Sequence, residues 1–263
     1  MNIENQETDL EVTEKAKSSI GKKLLLGLLV LVAVAVVGCI LYVSDYYHSD
    51  VPDRYYADTE TVQVYVHETD DEVNKEFMSF VPAEPIAGLI FYPGAKVEYD
   101  AYAPLMYELA ERGILCVLMK MPCNIAILGK NMADGIKDMY PEVEDWYMGG
   151  HSLGGLTAAD YVVNHTDEYE GLIILAAYSM VNLTDTDLKV LVMYGSEDTV
   201  LNMESYQNNF RKLPSDTVEY VIEGGCHAYF GYYGEQKGDG EPGISREDQI
   251  AITVEYIESL INE

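Results

Sequence analysis

A lone serine set among four glycines, in the stretch Tyr-Met-Gly-Gly-His-Ser-Leu-Gly-Gly-Leu at 147–156, is where residue type and spacing first suggest chemistry. A serine hydroxyl is a poor nucleophile at neutral pH. It needs a base to take its proton, usually a histidine, and a carboxylate to orient that base and stabilise the imidazolium. Gly150-x-Ser152-x-Gly154 supplies small residues two before and two after the serine. A sharp strand-to-helix turn needs them there, because it crowds its own neighbours while lifting the hydroxyl above the sheet. The helix that follows adds a dipole favouring negative charge. Short Gly-rich matches are common by chance, so the rest of the chain must supply the partners.

Two stretches do so in the order acid, then histidine. Gly195-Ser196-Glu197-Asp198 follows an apolar run at 189–195, and Gly224-Gly225-Cys226-His227 follows another at 217–224. Both are expected in loops after strands, on the edge of an open α/β sheet where ligands collect. His48, His67 and His165 lack such a setting, and His151 reads as the variable residue inside the turn. Cys226 has no comparable turn around it and reads as a small packing residue. The sequence has no C-x-x-C pair and no H-E-x-x-H pattern, so neither a metal nor a cofactor is expected. Gly238 to Gly243 formally matches G-x-G-x-x-G, but no strand leads into it, and Pro242 and the acids oppose a pyrophosphate.

The elements that must position these residues follow from periodicity. Residues 61–67 and 77–81 alternate as a strand pair joined by an acidic loop. Apolar runs at 87–93, 114–120, 171–177 and 189–195, with DWYMGG and 217–224, read as further strands. Helices are expected at 101–112, ended by Gly113, and at 127–140, 156–164 and about 203–213. The last helix begins at a capping box of Ser245 and Asp248 and carries Ile250, Val254, Ile257 and Ile261 on one face. Strands alternating with helices predict an α/β fold: a mostly parallel, doubly wound sheet with helices on both faces, preceded by an antiparallel pair.

With these residues placed, the strings GGHSLGGL, YGSED and GGCH, together with FYPGAKVEYDAYAPLMYELAERG, KMPCNIAILGKN, LAAY and the tail HAYFGYYGEQKGDG, resemble the α/β-hydrolase superfamily. The chain from Ala87 onward is similar to its bacterial fold-5 family, related to dienelactone hydrolases. The resemblance implies a triad of Ser152, His227 and Asp198, choosing Asp198 over the neighbouring Glu197. It also implies an oxyanion hole from the backbone N–H of Leu153 and one from the loop after the third strand. There the family's usual His-Gly pair is replaced by Pro93-Gly94, which makes Ala95 the expected donor because Pro93 has no N–H. Lys96 beside it reads as a solvent-binding residue. Only about eleven residues separate two strands where many lipases of this superfamily insert a helical lid, so a shallow, open pocket with a minimal lid is expected. The loop after His227 is expected to wall one side.

Composition sets the remaining bounds. Residues 24–43 run twenty positions without a charge, enough at helical rise to cross about 30 Å of hydrocarbon. Lys15, Lys17, Lys22 and Lys23 precede this run, and Asp45, Asp50 and Asp53 follow it. That asymmetry predicts a cytoplasmic tail at 1–23, a signal anchor at 24–43, a stalk at 44–60 and an extracytoplasmic hydrolase domain at 61–263. Val36-Val37-Gly38-Cys39 resembles a bacterial lipobox, so a lipoprotein anchored at Cys39 is the alternative. Beyond the apolar run, 12 Lys and Arg face 40 Asp and Glu, a net charge of −28 that argues against nucleic acid as a partner. Three cysteines in that part, one inside an apolar run, argue against a disulfide framework. The expected protein is a membrane-anchored serine hydrolase acting on a small-molecule or cell-surface carboxylic ester. The alternatives are an amidase, peptidase or acyltransferase with the same triad, and a catalytically silent scaffold that binds a cell-surface ligand.

Overall fold

The computed structural model describes residues 25–69 and 75–263, so the expected tail at 1–23 lies outside the described residues. The chain divides into two units at Asp45 and Tyr46. The first holds one helix, α1 (Leu25–Ser44), twenty residues of mean hydropathy 2.9 with no buried side chains, long and apolar enough to cross a membrane.

The second unit is built on one eight-stranded sheet. Its strands are β1 (Val62–His67), β2 (Phe77–Pro82), β3 (Ala87–Tyr92), β4 (Ile114–Met119), β5 (Trp146–His151), β6 (Gly171–Leu175), β7 (Lys189–Gly195) and β8 (Val218–Ile222). They lie in the order β1-β2-β4-β3-β5-β6-β7-β8. β1 and β2 pair antiparallel, β2 meets β4 antiparallel, and every other pairing is parallel. Helices α2 (Ala103–Glu111), α3 (Leu153–Val162), α4 (Met203–Phe210) and α5 (Arg246–Asn262) cover the sheet.

Successive strand residues point to opposite faces, and the two faces carry separate cores. Leu89, Phe91, Cys116, Leu118 and Met193 pack with Leu105 and Leu109 of α2 and Ile250, Val254 and Ile257 of α5. Ile90, Val117, Met148, Ile174 and Val192 pack with Ala158, Tyr161 and Val162 of α3 and Tyr206 of α4. The uninterrupted apolar runs of the sequence are therefore strands buried on both sides. From β3 the chain crosses one way to β4 through α2, then returns to β5 on the other side of β3 and leaves through α3. The crevice at the C-terminal ends of β3 and β5 is thus the switch point of the sheet, where such folds bind ligands.

Two expectations about the connections are overturned. The segment expected to be a stalk is part of the second unit from Tyr46 onward. Tyr47 forms a parallel bridge with Val97, the Asp50 N–H donates to the Tyr232 carbonyl at 2.8 Å, and Tyr55 is buried. Its tyrosines explain this, since an aromatic ring offers a large apolar face that a solvated stalk leaves wet. The helix expected at 127–140 is replaced by 3-10 turns at Ala126–Gly129 and Lys137–Met139. Gly135 takes a left-handed φ of 75° between them, and the Tyr92 hydroxyl satisfies this backbone instead. It accepts from the Ala133 N–H at 3.0 Å and donates to the Lys130 carbonyl at 2.7 Å.

Candidate active site

Ser152 stands between the end of β5 and the start of α3 with φ 53° and ψ −123°, a conformation that costs a non-glycine residue about 1–3 kcal/mol. A serine at a helix N-cap ordinarily turns its hydroxyl back onto the first turn. Here the side chain makes no such bond. The tightness of the turn explains its glycines. A Cβ on Gly150 would lie 2.5 Å from the Gly154 carbonyl carbon, and one on Gly154 would run into the carbonyl oxygens of Tyr92 and Pro93. The helix thereby packs onto the loop that leaves β3.

His227 follows β8 and is 1% exposed. Its Nδ1 lies 2.8 Å from Asp198 Oδ2, and the Asp198 Oδ1 accepts from the N–H groups of Val200 at 2.9 Å and Leu201 at 2.8 Å. The carboxylate, in the loop after β7, is thus fixed by backbone on one oxygen and by the imidazole on the other. Glu197 is exposed and accepts from Ser196, so the structure separates the two neighbouring acids. The imidazole Nε2 is buried without a hydrogen-bond partner among the described residues. With Nδ1–H assigned to the carboxylate, Nε2 carries the lone pair, and an orphaned acceptor there is suited to taking a proton from a hydroxyl.

Ser152, Leu153 and His227 line one pocket of about 230 Å³, completed by Leu156, Ala176, Ala177, Tyr178, Val200, Leu201 and Asn202. A larger hollow of about 430 Å³, near Tyr55, Tyr107 and Glu108, is lined by no serine, cysteine or histidine. Size does not mark the site. The segment between β6 and β7 carries no helix, in keeping with the minimal lid expected. Leu153 is the first residue of α3, so its N–H is free of intrahelical bonding. Ala95 lies in the loop after β3 but is not among the walls of this pocket. Its neighbours' N–H groups are used, Gly94 donating to the Tyr102 hydroxyl at 3.1 Å and Lys96 to the Asn124 carbonyl at 2.7 Å. Lys96 itself takes a left-handed φ of 58°.

The loop after His227 does not line this pocket; it folds back under the histidine. Asp239 accepts from the N–H groups of His227 at 3.1 Å and Ala228 at 2.8 Å. Gln249 of α5 brackets Cys226, accepting from its N–H at 2.9 Å and donating to its carbonyl at 2.8 Å. Neither residue stood out in the sequence. Asp239 sits in the glycine-rich stretch set aside as a false nucleotide motif, and a glutamine on a core helix face was the one available hint of a buried polar contact. Cys226 is buried, and that burial, with Asp239 beside it, pushes its thiol up to about 12, so it remains a protonated packing residue. Among the described residues no cluster of His, Cys, Asp or Glu fits a metal ion.

Comparison with known proteins agrees with this architecture. A model of the alpha/beta hydrolase family matches residues 88–251. The crystal structure of a predicted CIB-like hydrolase from Thermoplasma acidophilum superposes with a TM-score of 0.52 at 16% identity, covering 75% of this chain and 98% of that one. No curated protein is similar to the sequence at a significant level. The matched span runs from β3 into α5 and so contains the serine turn, the acid loop and the histidine loop. This chain belongs to the alpha/beta hydrolase family.

Proposed function

We propose that the protein is a membrane-anchored, extracytoplasmic serine hydrolase that cleaves carboxylic esters. One observation carries the reading: a strained serine whose side chain caps nothing shares a pocket with a histidine that is backed by a buried carboxylate and has a vacant Nε2. Ser152 Oγ attacks the ester carbonyl while His227 Nε2 takes its proton. Leu153 and Ala95 N–H groups hold the oxyanion. The imidazolium, steadied by Asp198, protonates the leaving alcohol, and water then releases the acyl group by the same route in reverse. In the free protein the serine and imidazole are not yet hydrogen-bonded, as is common before substrate closes the geometry. A pocket with mostly apolar walls and a surface of strong negative charge favour a small, uncharged ester.

The test is fluorophosphonate labelling of the full chain in detergent, beside Ser152→Ala and His227→Ala variants shown to be folded by circular dichroism. Labelling of the parent lost in both variants is expected. A folded parent that does not label would turn the assignment toward the silent scaffold. Turnover of p-nitrophenyl acetate against the matching anilide separates esterase from amidase. The anchor is read by mass, since a chain that keeps residues 1–38 is uncleaved and a lipoprotein cut before Cys39 is not. Sidedness is read at Cys123, which is exposed. In a Cys39→Ala background an impermeant maleimide is expected to modify it on intact cells, and protection until lysis would reverse the topology.

A further inference from the structure

The residue before the nucleophile is unusual in its surroundings. His151 ends β5 and is 1% exposed, yet both ring nitrogens are engaged. Nδ1 lies 2.7 Å from the Tyr102 hydroxyl, and Nε2 lies 3.0 Å from the backbone carbonyl of His227. Tyr102 is also fully buried, and its oxygen accepts the Gly94 N–H at 3.1 Å. Donor and acceptor roles follow from these contacts. The His227 carbonyl only accepts, so His151 Nε2 carries the proton. Nδ1 is then bare and accepts from the Tyr102 O–H, which in turn accepts from Gly94. The space is filled as tightly as the bonding suggests: a Cβ on Gly94 would lie 2.8 Å from the Tyr102 oxygen and 2.9 Å from His151 Nδ1.

We propose that His151 and Tyr102 are positioning residues whose hydrogen bonds tie the loop of Gly94 and Ala95 to the backbone of His227, on either side of Ser152. The inference rests on the function proposed above. It goes beyond it by naming what holds two groups on different loops at a fixed distance. His151 is joined by a peptide bond to Ser152, so one imidazole couples the turn of the nucleophile, the base and the oxyanion loop. Its ring also lies 4.6 Å from that of His227. Burial, and then His227 itself, hold the His151 imidazole well below the usual histidine range. A neutral neighbour suits a base that must become a cation during reaction, because a second cation at that distance would oppose it.

Four variants and one spectrum test the relay. Tyr102→Phe keeps the ring and removes only the hydroxyl, and is expected to slow fluorophosphonate labelling about tenfold. His151→Phe removes both bonds and is expected to slow it about a hundredfold, with the loss in kcat and KM within about twofold on a p-nitrophenyl ester. His151→Gln, which can still reach the His227 carbonyl, is expected to recover part of the rate. Because the two residues act as one unit, Tyr102→Phe combined with His151→Phe is expected to be no slower than His151→Phe alone. Parent rates in folded variants, or losses that multiply, would overturn the proposal. Should His151→Phe not fold, Tyr102→Phe decides. Nitrogen-15 NMR of the parent is expected to show His151 as the Nε2–H tautomer, and an Nδ1–H tautomer would also overturn the relay. That spectrum needs no activity, so a parent that fails to label defeats the proposed function while the tautomer still judges the relay.

Discussion

At the scale of single residues the site is a matter of which polar atoms are satisfied and which are not. Asp198 spends one oxygen on two backbone N–H groups and the other on His227, while His227 Nε2 has no partner. Asp198→Asn preserves the packing but offers the imidazole an amide, and so favours the wrong tautomer. On the function proposed above, turnover of p-nitrophenyl acetate is expected to fall about 10⁴-fold with thermal stability little changed, and a variant within tenfold of the parent would remove Asp198 from the proposed triad. Cys226 supplies a contrasting case. Its raised thiol pKa and burial predict that iodoacetamide at pH 8 modifies exposed Cys123 in the folded protein while Cys226 reacts only after denaturation. Rapid modification of Cys226 in the native state would contradict that placement.

At the scale of elements the question is what keeps the loops in place once the strands have ended. The acid loop is held by its own backbone turn, but the histidine loop depends on a side chain twelve residues away. Removing the Asp239 carboxylate strands the N–H groups of His227 and Ala228 in a largely buried position. Asp239→Ala is therefore expected to cost about 1–3 kcal/mol in urea unfolding and to slow labelling of Ser152 in the fraction that stays folded. An unchanged midpoint would mean that water replaces the carboxylate. The serine turn needs no such brace, because Gly150 and Gly154 let α3 sit directly on the end of β3.

At the scale of the molecule the abundance of tyrosine has a consequence for pH. The chain holds 22 tyrosines, and burial pushes Tyr99 and Tyr147 up to about 12, with Tyr92 and Tyr102 raised further. In the unfolded chain a tyrosine loses its proton near pH 10. Above that pH the unfolded state binds fewer protons than the folded one, so stability falls with rising pH; below it these groups contribute no slope. Melting temperature is expected to be flat through pH 9 on their account and to drop steeply between pH 10 and 12. The tyrosinate absorbance at 295 nm should rise together with unfolding. Gradual ionisation of all tyrosines in a protein that stays folded would contradict their burial.

Much of this was already present in the linear sequence. Uninterrupted apolar runs marked the strands, since a strand buried on both faces leaves no polar alternation, and the twenty uncharged residues marked α1. Small residues flanking Ser152 and the loops ending in Asp198 and His227 marked the site, because strand ends are local events with local signatures. What the sequence missed depends on contacts between distant positions. The stalk expected at 44–60 and the helix expected at 127–140 fail, and the parts played by His151, Tyr102, Asp239 and Gln249 go unseen, because partners far along the chain decide them. Glu197 and Asp198 are adjacent in sequence, and only the direction each side chain takes from its turn sends one to solvent and the other to His227. Periodicity and turn chemistry act over a few residues and can be read in order. The satisfaction of buried polar groups is a property of three-dimensional neighbours, and the tertiary structure alone determines it.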